Sequence, residues 1–312
     1  MVTACSDKQF LEVWNKYKSP QKVANVLGVA LRNIYSRRRT LEAKTCLALV
    51  ADDRGIVTVD HPARQQARLK DGVVLVGSDP HYWPGKATTA HRAFVRFCKD
   101  LKPAIVVMNG DVFDGSTISR WPRIGWDRRP KVKDELQCAT DRLSEIEKAA
   151  KGAKFYWPMG NHDARFETFL AAHASEYEGV AGFNLKDRFP RWTPCWSLLV
   201  NNDLAVKHRF KAGIHAPHNN TMWAGRSMVT GHLHSLRVSP FTDLNGTRYG
   251  VDSGTLAEPS GDQFVNYTED SPKNWRGGFV VLSVRNFHLM SPELAEVIGE
   301  GEIWFRGKAI KV

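Results

Sequence analysis

Ala104-Ile105-Val106-Val107-Met108-Asn109-Gly110-Asp111-Val112-Phe113-Asp114 is the stretch on which the reading of this chain turns. Five apolar residues in a row, rich in β-branched side chains, suit a short strand buried on both faces. Asn-Gly then breaks the strand, and two carboxylates follow within four residues. The same grammar recurs along the chain. Val73-Val74-Leu75-Val76 leads to Ser78-Asp79-Pro80-His81, and Lys154-Phe155-Tyr156-Trp157 leads through Pro158-Met159 to Gly160-Asn161-His162-Asp163. The strand from Leu204 to Lys207 ends at His208, and Met228-Val229-Thr230 runs into Gly231-His232-Leu233-His234. In open α/β sheets, ligands bind beyond the carboxyl ends of the strands, where loops far apart in sequence converge.

Between these strands the spacing predicts helices over Thr89 to Leu101 and Val132 to Lys151. Further strands are expected at Trp196 to Val200, Arg248 to Val251, Gly278 to Val284 and Glu302 to Arg306. Strands alternating with helices imply an α/β core with parallel pairing, and the later, shorter strands a second packed sheet. Residues 73–312 read as one domain. Residues 49–72, with the strand-like Ile56-Val57-Thr58-Val59, read as a linker or edge decoration.

The chain has 312 residues, with 44 Lys and Arg against 33 Asp and Glu, a net charge of +11. Disordered, collagen-like and low-complexity classes are excluded by composition; the basic excess favours a polyanionic partner, nucleic acid first. Cys5, Cys46, Cys98, Cys138 and Cys195 are scattered and form no C-x-x-C pair, which argues against a disulfide framework and a thiolate zinc site and suits a reducing cytoplasm. No apolar run approaches the roughly 20 residues of a membrane span, and the polar start from Ser6 lacks a signal-peptide core, so a cytoplasmic protein without a membrane partner is expected.

A lone D-x-H or a lone histidine is ordinary turn or surface chemistry. D-x-H, G-D-x-x-D, G-N-H-D, a strand-end His and G-H-x-H in one order, each straight after an apolar strand, are a different matter. The set resembles the calcineurin-like metallophosphoesterases over residues 73–256, with Val251 to Leu256 similar to the family's Gly-Ser turn. The resemblance implies a β-sandwich of two mixed sheets flanked by helices, with a dinuclear metal centre on the loops at one edge. Two cations about 3.5–4 Å apart repel and need a shared carboxylate, for which Asp111 is the candidate. By resemblance, Asp79, His81 and His234 complete one metal site, and Asn161, His208 and His232 the other. A nitrogen and oxygen set without sulfur suits Mn²⁺ first, with Fe or Zn²⁺ also admissible.

The implied chemistry is in-line attack on phosphorus by a hydroxide bridging two divalent ions. His162 matches the family's general acid, with Asp114 orienting its imidazole; Arg165 is either a phosphate contact or a surface cation. The phosphoprotein-phosphatase branch has Arg directly after the second Asp of G-D-x-x-D, where this chain has Gly115. The wording G-D-V-F-D and G-H-L-H is closest to the DNA-repair exonuclease branch. In the fourth motif His208 precedes Arg209 rather than Gly, with His215 and His218 nearby as competitors; His208 is chosen because it ends a strand.

Residues 1–48 differ in texture. Helical spacing of Phe10, Leu11, Val13, Trp14 and Tyr17, with Asp7 able to cap, is followed by Ser19-Pro20 opening a second helix that stops at Gly28, and by a third helix from Leu31 to Arg39. The segment resembles a helix-turn-helix. Its nine cations against three anions give +6, and Arg32, Asn33, Tyr35, Arg37 and Arg38 are the candidate nucleic-acid contacts, with Ser36 also facing outward. The bland alternative is a helical hairpin with a solvated basic face. Trp121 to Lys131, which interleaves Trp121 and Trp126 with Arg123, Arg128 and Arg129, either stacks on bases or pins a loop to the core. The combined expectation is a dinuclear-metal phosphodiesterase of nucleic acid, a DNA nuclease. The alternatives are a phosphatase or cyclic-nucleotide phosphodiesterase for small esters, and a nucleic-acid-binding regulator with a vestigial metal site.

Overall fold

Short apolar strands in parallel bring their carboxyl ends to one edge, and that edge organises this fold. The computed structural model describes residues 5–45, 49, 51 and 61–312, so the piece at 56–59 lies outside the described residues. Two compact units are present: Met1–Val59 with Asn201–Asp203, and Asp60–Val200 with Leu204–Val312.

The first unit holds three helices: α1 (Asp7–Tyr17), α2 (Pro20–Leu27) and α3 (Leu31–Thr45). Ser6, rather than Asp7, caps α1 by accepting from Gln9 N at 3.1 Å. Asp7 lies in the first turn instead and pairs with Arg37 and Lys44. Ser19 caps α2, Pro20 occupies its first turn, and Gly28 ends it at φ +63°, a conformation that costs glycine little. Phe10, Trp14, Val23, Ala24, Ile34, Leu41 and Leu49 form the core. Helix α3 runs past the expected end at Arg39 because Leu41, two turns beyond Ile34, is buried and Arg38 pairs with Glu42 at i+4.

The second unit is a sandwich of two mixed sheets flanked by helices. In chain order its elements are β1 (Arg64–Ala67), β2 (Gly72–Gly77), α4 (Thr89–Leu101), β3 (Ile105–Met108), α5 (Val132–Ala149), β4 (Lys154–Pro158), α6 (Arg165–His173), β5 (Trp192–Cys195), β6 (Ser197–Val200) and β7 (Leu204–Val206). There follow α7 (Ala216–Ala224), β8 (Ser227–Thr230), β9 (Leu236–Asp243), β10 (Gly246–Ser253), α8 (Asp262–Thr268), β11 (Gly278–Arg285), β12 (His288–Leu289), β13 (Glu293–Gly299), β14 (Glu302–Phe305) and β15 (Lys308–Lys311). One sheet runs β15-β14-β13-β11-β2-β3-β4-β5, with β12 paired to β11; the other runs β1-β6-β7-β8-β10-β9. Strands β2 to β5 are mutually parallel, as are β7, β8 and β10.

The period of two in β-strands explains how one apolar run serves two cores. Val74, Val76, Ile105 and Val107 point between the sheets, against Leu198, Val206, Val229 and Val251. Their neighbours Leu75, Val106 and Met108 point the other way, under Phe94 and Phe97 of α4 and Leu143 and Ile146 of α5. Helix α4 is opened by Thr88, whose hydroxyl accepts from His91 N at 3.1 Å. The stretch expected as linker or edge decoration contains β1, paired parallel to β6 at the sheet edge. The four free cysteines among the described residues are thiols. Among those residues no helix is long and apolar enough to cross a membrane.

Candidate metal centre

The parallel ladder continues past the strand ends, and this aligns the loops. Asn109 N donates to Gly77 O (2.7 Å), Asp79 N to Gly110 O (3.0 Å), His81 N to Asp111 O (3.0 Å) and Gly231 N to His208 O (3.0 Å). Glycines let the loops close to contact distance. A Cβ on Gly160 would sit 2.1 Å from Asp111 Oδ1, one on Gly231 2.0 Å from Ser78 Oγ, and one on Gly110 2.3 Å from His208 Nδ1. Asp79, His81, Asp111, His232 and His234 all adopt left-handed backbone, φ +38° to +70°. Such a conformation costs a non-glycine residue on the order of 1 kcal/mol or more and is tolerated where it aims a side chain.

Together these features gather the candidate ligands. Ligand atoms of Asp79, His81 and His234 lie within 4.8 Å of one another, as do those of Asp111, His208 and His232. His234 Nε2 is 3.2 Å from Asp79 Oδ1, and His208 Nε2 is 3.2 Å from Asp111 Oδ2. His81 Nε2 lies between the two carboxylates, 4.0 Å from Asp79 and 3.9 Å from Asp111. Of the three histidines weighed for the fourth motif, His208 is the one beside Asp111. His215 is exposed ahead of α7, and His218 packs on Phe241.

The buried polar atoms fit cations. His81 Nε2, His208 Nε2 and Asn161 Oδ1 are buried without a hydrogen-bond partner, a costly arrangement unless something else binds them. Burial works against ionisation of Asp79 and Asp111, yet the surrounding histidines hold both carboxyls below the usual carboxylate range. Burial also opposes a charged His208, but Asp111 and Asp79 outweigh it and push that imidazole up to about 10. Half-buried His232, beside His208, falls to about 4, chiefly through burial. So strong a negative field pulls protons onto His208, and divalent ions are the natural competitors for the same place.

Asp114 Oδ1 accepts from two imidazoles, His81 Nδ1 and His162 Nδ1, each at 2.9 Å. That turns the Nε2 atoms of both toward Asp111, each 3.9 Å from its Oδ2, the arrangement by which outer carboxylates orient histidines. His162 N donates to Asp111 Oδ1 at 2.8 Å. Burial lowers His162, but Asp111 and Asp114 outweigh it and keep the imidazole above its ordinary value. Arg165 is half-buried and engaged with the site: it donates to Asp114 O (2.8 Å) and its Nη2 lies 3.0 Å from His162 Nε2.

The sequence profile of the family described as calcineurin-like phosphoesterases matches residues 72–250. The chain belongs to this family. It is a metal-dependent phosphoester hydrolase, and the phosphoesterases of this family work with two metal ions. Gene 54 protein of Mycobacterium phage L5 is 25% identical over 68% of this chain and 91% of its own length, and that of phage D29 is 24% identical with the same coverage. Wild-type Vps29 of Entamoeba histolytica, solved in complex with zinc, aligns at 12% identity over 77% of this chain and 98% of its own, with a TM-score of 0.41.

Several residues around the phosphoesterase centre carried no role in the sequence reading. Asp163, the last residue of G-N-H-D, is fully buried and accepts from Asp111 N (3.0 Å), Val112 N (2.9 Å), Phe113 N (3.1 Å), Gly160 N (2.8 Å) and Trp157 Nε1 (3.0 Å). It ties two ligand loops together. Buried Glu135 holds the next loop through Gly115 N, Ser116 N and Ser116 Oγ. Thr255 Oγ1 donates to Asp79 O at 2.6 Å, so the Val251–Leu256 segment braces the first loop. Phe264 of α8 and Trp275 pack on His234, at ring distances of 5.6 and 4.5 Å, and so the C-terminal segment covers one side of the site. No spacing in that polar stretch could have revealed it.

The proposed nucleic-acid contacts divide. Arg32, Asn33 and Tyr35 are exposed. Arg37 and Arg38 turn back on their own unit instead of facing outward: Arg37 bonds Asp7 and lies over Phe10, and Arg38 bonds Glu42 and lies over Trp14. Both face α1 across the small core, where cation–π contact and an acid are within reach. Trp121 and Trp126 are 64% and 95% exposed, so neither pins its loop to the core.

Proposed function

We propose that this phosphoesterase hydrolyses phosphodiester bonds in nucleic acid, DNA foremost, and that residues 1–48 act as a helix-turn-helix-like anchor. The observation that carries the catalytic half is one carboxylate, Asp114, gripping two imidazoles, one beside the candidate ligands and one poised as an acid. Asp79, His81 and His234 would hold one ion and Asn161, His208 and His232 the other, with Asp111 shared; Mn²⁺ is the first choice for this donor set. When bound, such ions neutralise the ester oxygens and lower the pKa of the water they hold.

The chain's own groups then have distinct tasks. Asp111 uses Oδ1 on His162 N, which leaves Oδ2 for the cluster. His162, its Nδ1 proton fixed on Asp114, offers Nε2 to the leaving oxygen and delivers a proton there as the ester bond breaks. Arg165, now on that same nitrogen, moves to the phosphoryl oxygens once an ester occupies the site. Phe264 and Trp275 keep one flank dry.

Two features favour a nucleic-acid chain over a phosphoprotein. Gly115 sits at φ +62°, with Phe113 only 2.8 Å from where its Cβ would be, so the arginine of the phosphoprotein branch has no room. Exposed Trp121, with Arg120 stacked over it, and exposed Trp126 offer ring faces in a basic loop. The test is a substrate panel with Mn²⁺: single- and double-stranded DNA and RNA, a bis-aryl phosphate and a mono-aryl phosphate. Cleavage of a nucleic acid, with the bis-aryl preferred over the mono-aryl ester, is expected. Hydrolysis of small esters alone would refute the nucleic-acid reading. Removal of residues 1–48 should lower salt-sensitive retention of duplex DNA.

A further inference from the structure

We propose that the cleft between Trp196, Lys207 and the Arg209–Lys211 segment is a subsite for one unpaired nucleotide and its phosphate, next to the scissile ester of a single-stranded polynucleotide. This rests on the nucleic-acid reading above and adds where the chain continues beyond the metal centre. The cleft has a volume of about 360 Å³ and runs from His232 and Met159 to Lys207, Arg209, Phe210 and Lys211. One end therefore opens on a candidate metal ligand, and the volume is in the range of small-ligand sites.

Its charge is one-sided. Three cations line it and no carboxylate does. Arg209 makes no ion pair or hydrogen bond among the described residues, and Lys207 Nζ has only a long contact to Trp196 O, at 3.4 Å. Lys207 is half-buried at the wall of the cleft. Solvated basic faces spread their charges into water; here like charges crowd a concave surface, which focuses a field that a bound anion would relieve. Lys211 is held in place over the Trp223 ring, 3.6 Å from its centre.

The aromatic content narrows the anion. Trp196 and Phe210 are each 46% exposed and line the same cleft. A free phosphate or an acidic peptide has no use for two ring faces, whereas an unpaired base stacks on them. In a duplex the base faces are already stacked on each other, so the occupant is single-stranded.

The test uses the full chain with Mn²⁺, a single-stranded DNA hexamer and a salt series, comparing the unaltered protein with the double variant Arg209→Ala/Lys211→Ala and with Phe210→Ala. Loss of two phosphate contacts should flatten the slope of log affinity against log salt by roughly 1.4. The ratio of kcat/KM on the hexamer to kcat/KM on a bis-aryl phosphate should drop at least about tenfold for the double variant. Phe210→Ala should weaken hexamer binding about fivefold or more while leaving the salt slope intact, as stacking requires. Arg209→Lys should recover most of the slope, which separates charge from folding damage. An unchanged slope and an unchanged ratio in hexamer-cleaving protein would overturn the subsite while the nucleic-acid reading stands. Binding losses seen with duplex but not with the hexamer would also overturn it. If the unaltered chain neither binds nor cleaves the hexamer or any other nucleic acid, the reading beneath the proposal has failed.

Discussion

Asp163→Asn is the substitution that bears most directly on how the ligand loops are held. The carboxylate spreads five donors over two oxygens: Asp111 N, Gly160 N and Trp157 Nε1 on Oδ2, and Val112 N and Phe113 N on Oδ1. An amide of the same shape has one accepting oxygen. If it keeps the first three, its NH₂ faces Val112 N and Phe113 N, two buried donors left without an acceptor. Each such group costs about 1–3 kcal/mol, so a total of roughly 3–4 kcal/mol is expected, against a typical whole-protein stability of about 5–15 kcal/mol. At about 2–4 °C per kcal/mol for chains near this size, melting should fall by roughly 6–15 °C. Because the same bonds place Asp111 and Gly160, Mn²⁺ affinity should weaken by roughly 10–100-fold. Circular-dichroism melts in chelator separate folding from metal linkage, and a Mn²⁺ titration reads the second effect. Both belong at pH 8, since burial and the nearby Asp111 carboxylate push Asp163 up to about 6. A melting shift under about 2 °C with unaltered Mn²⁺ affinity would refute the bracing role.

Other outcomes follow from the same geometry. His162→Ala should keep its metal content yet lose on the order of 10²–10⁴ in kcat on esters with poor leaving groups, and far less on nitrophenyl esters; equal losses on both would remove His162 from the acid role. Gly160→Ala, whose Cβ would meet Asp111 Oδ1 at 2.1 Å, should purify without its full metal complement, and full Mn²⁺ content would contradict the packing argument. Glu135 is pushed up to about 7 by burial, from an ordinary value of 4.5. Its folded form therefore keeps a proton that the unfolded form releases, a stabilisation present below pH 4.5 and lost as pH rises through 7. Relative to Glu135→Gln, the unaltered chain should lose up to about 3 kcal/mol between pH 5 and 8 in urea unfolding, and a constant difference would exclude the titration.

What the sequence disclosed follows the physics of burial. Strands β2, β3 and β11 sit in the middle of the larger sheet, so both faces are apolar and their runs stand out. The strands without a sequence signal include β1, β5, β9 and β15, all at sheet edges, where polar residues and even Pro194 and Pro240 are tolerated. In the site, residue types and order announced a metal chemistry, because a loop that binds ions must carry carboxylates and imidazoles. The left-handed backbone at Asp79, His81, Asp111, His232 and His234 is invisible in a sequence, since none of these is glycine. Nor could spacing show that Arg37 and Arg38 fold back on Phe10 and Trp14, or that Phe264 and Trp275 reach His234 across the chain. Those are long-range contacts decided by packing.

Metal stoichiometry of the purified chain, by mass spectrometry after Mn²⁺ loading and gel filtration, goes to the centre of the account. Two ions per chain are expected, with Asp111→Asn losing both because its carboxylate is shared. One ion or none in the unaltered protein, or two ions undisturbed by Asp111→Asn, would contradict it.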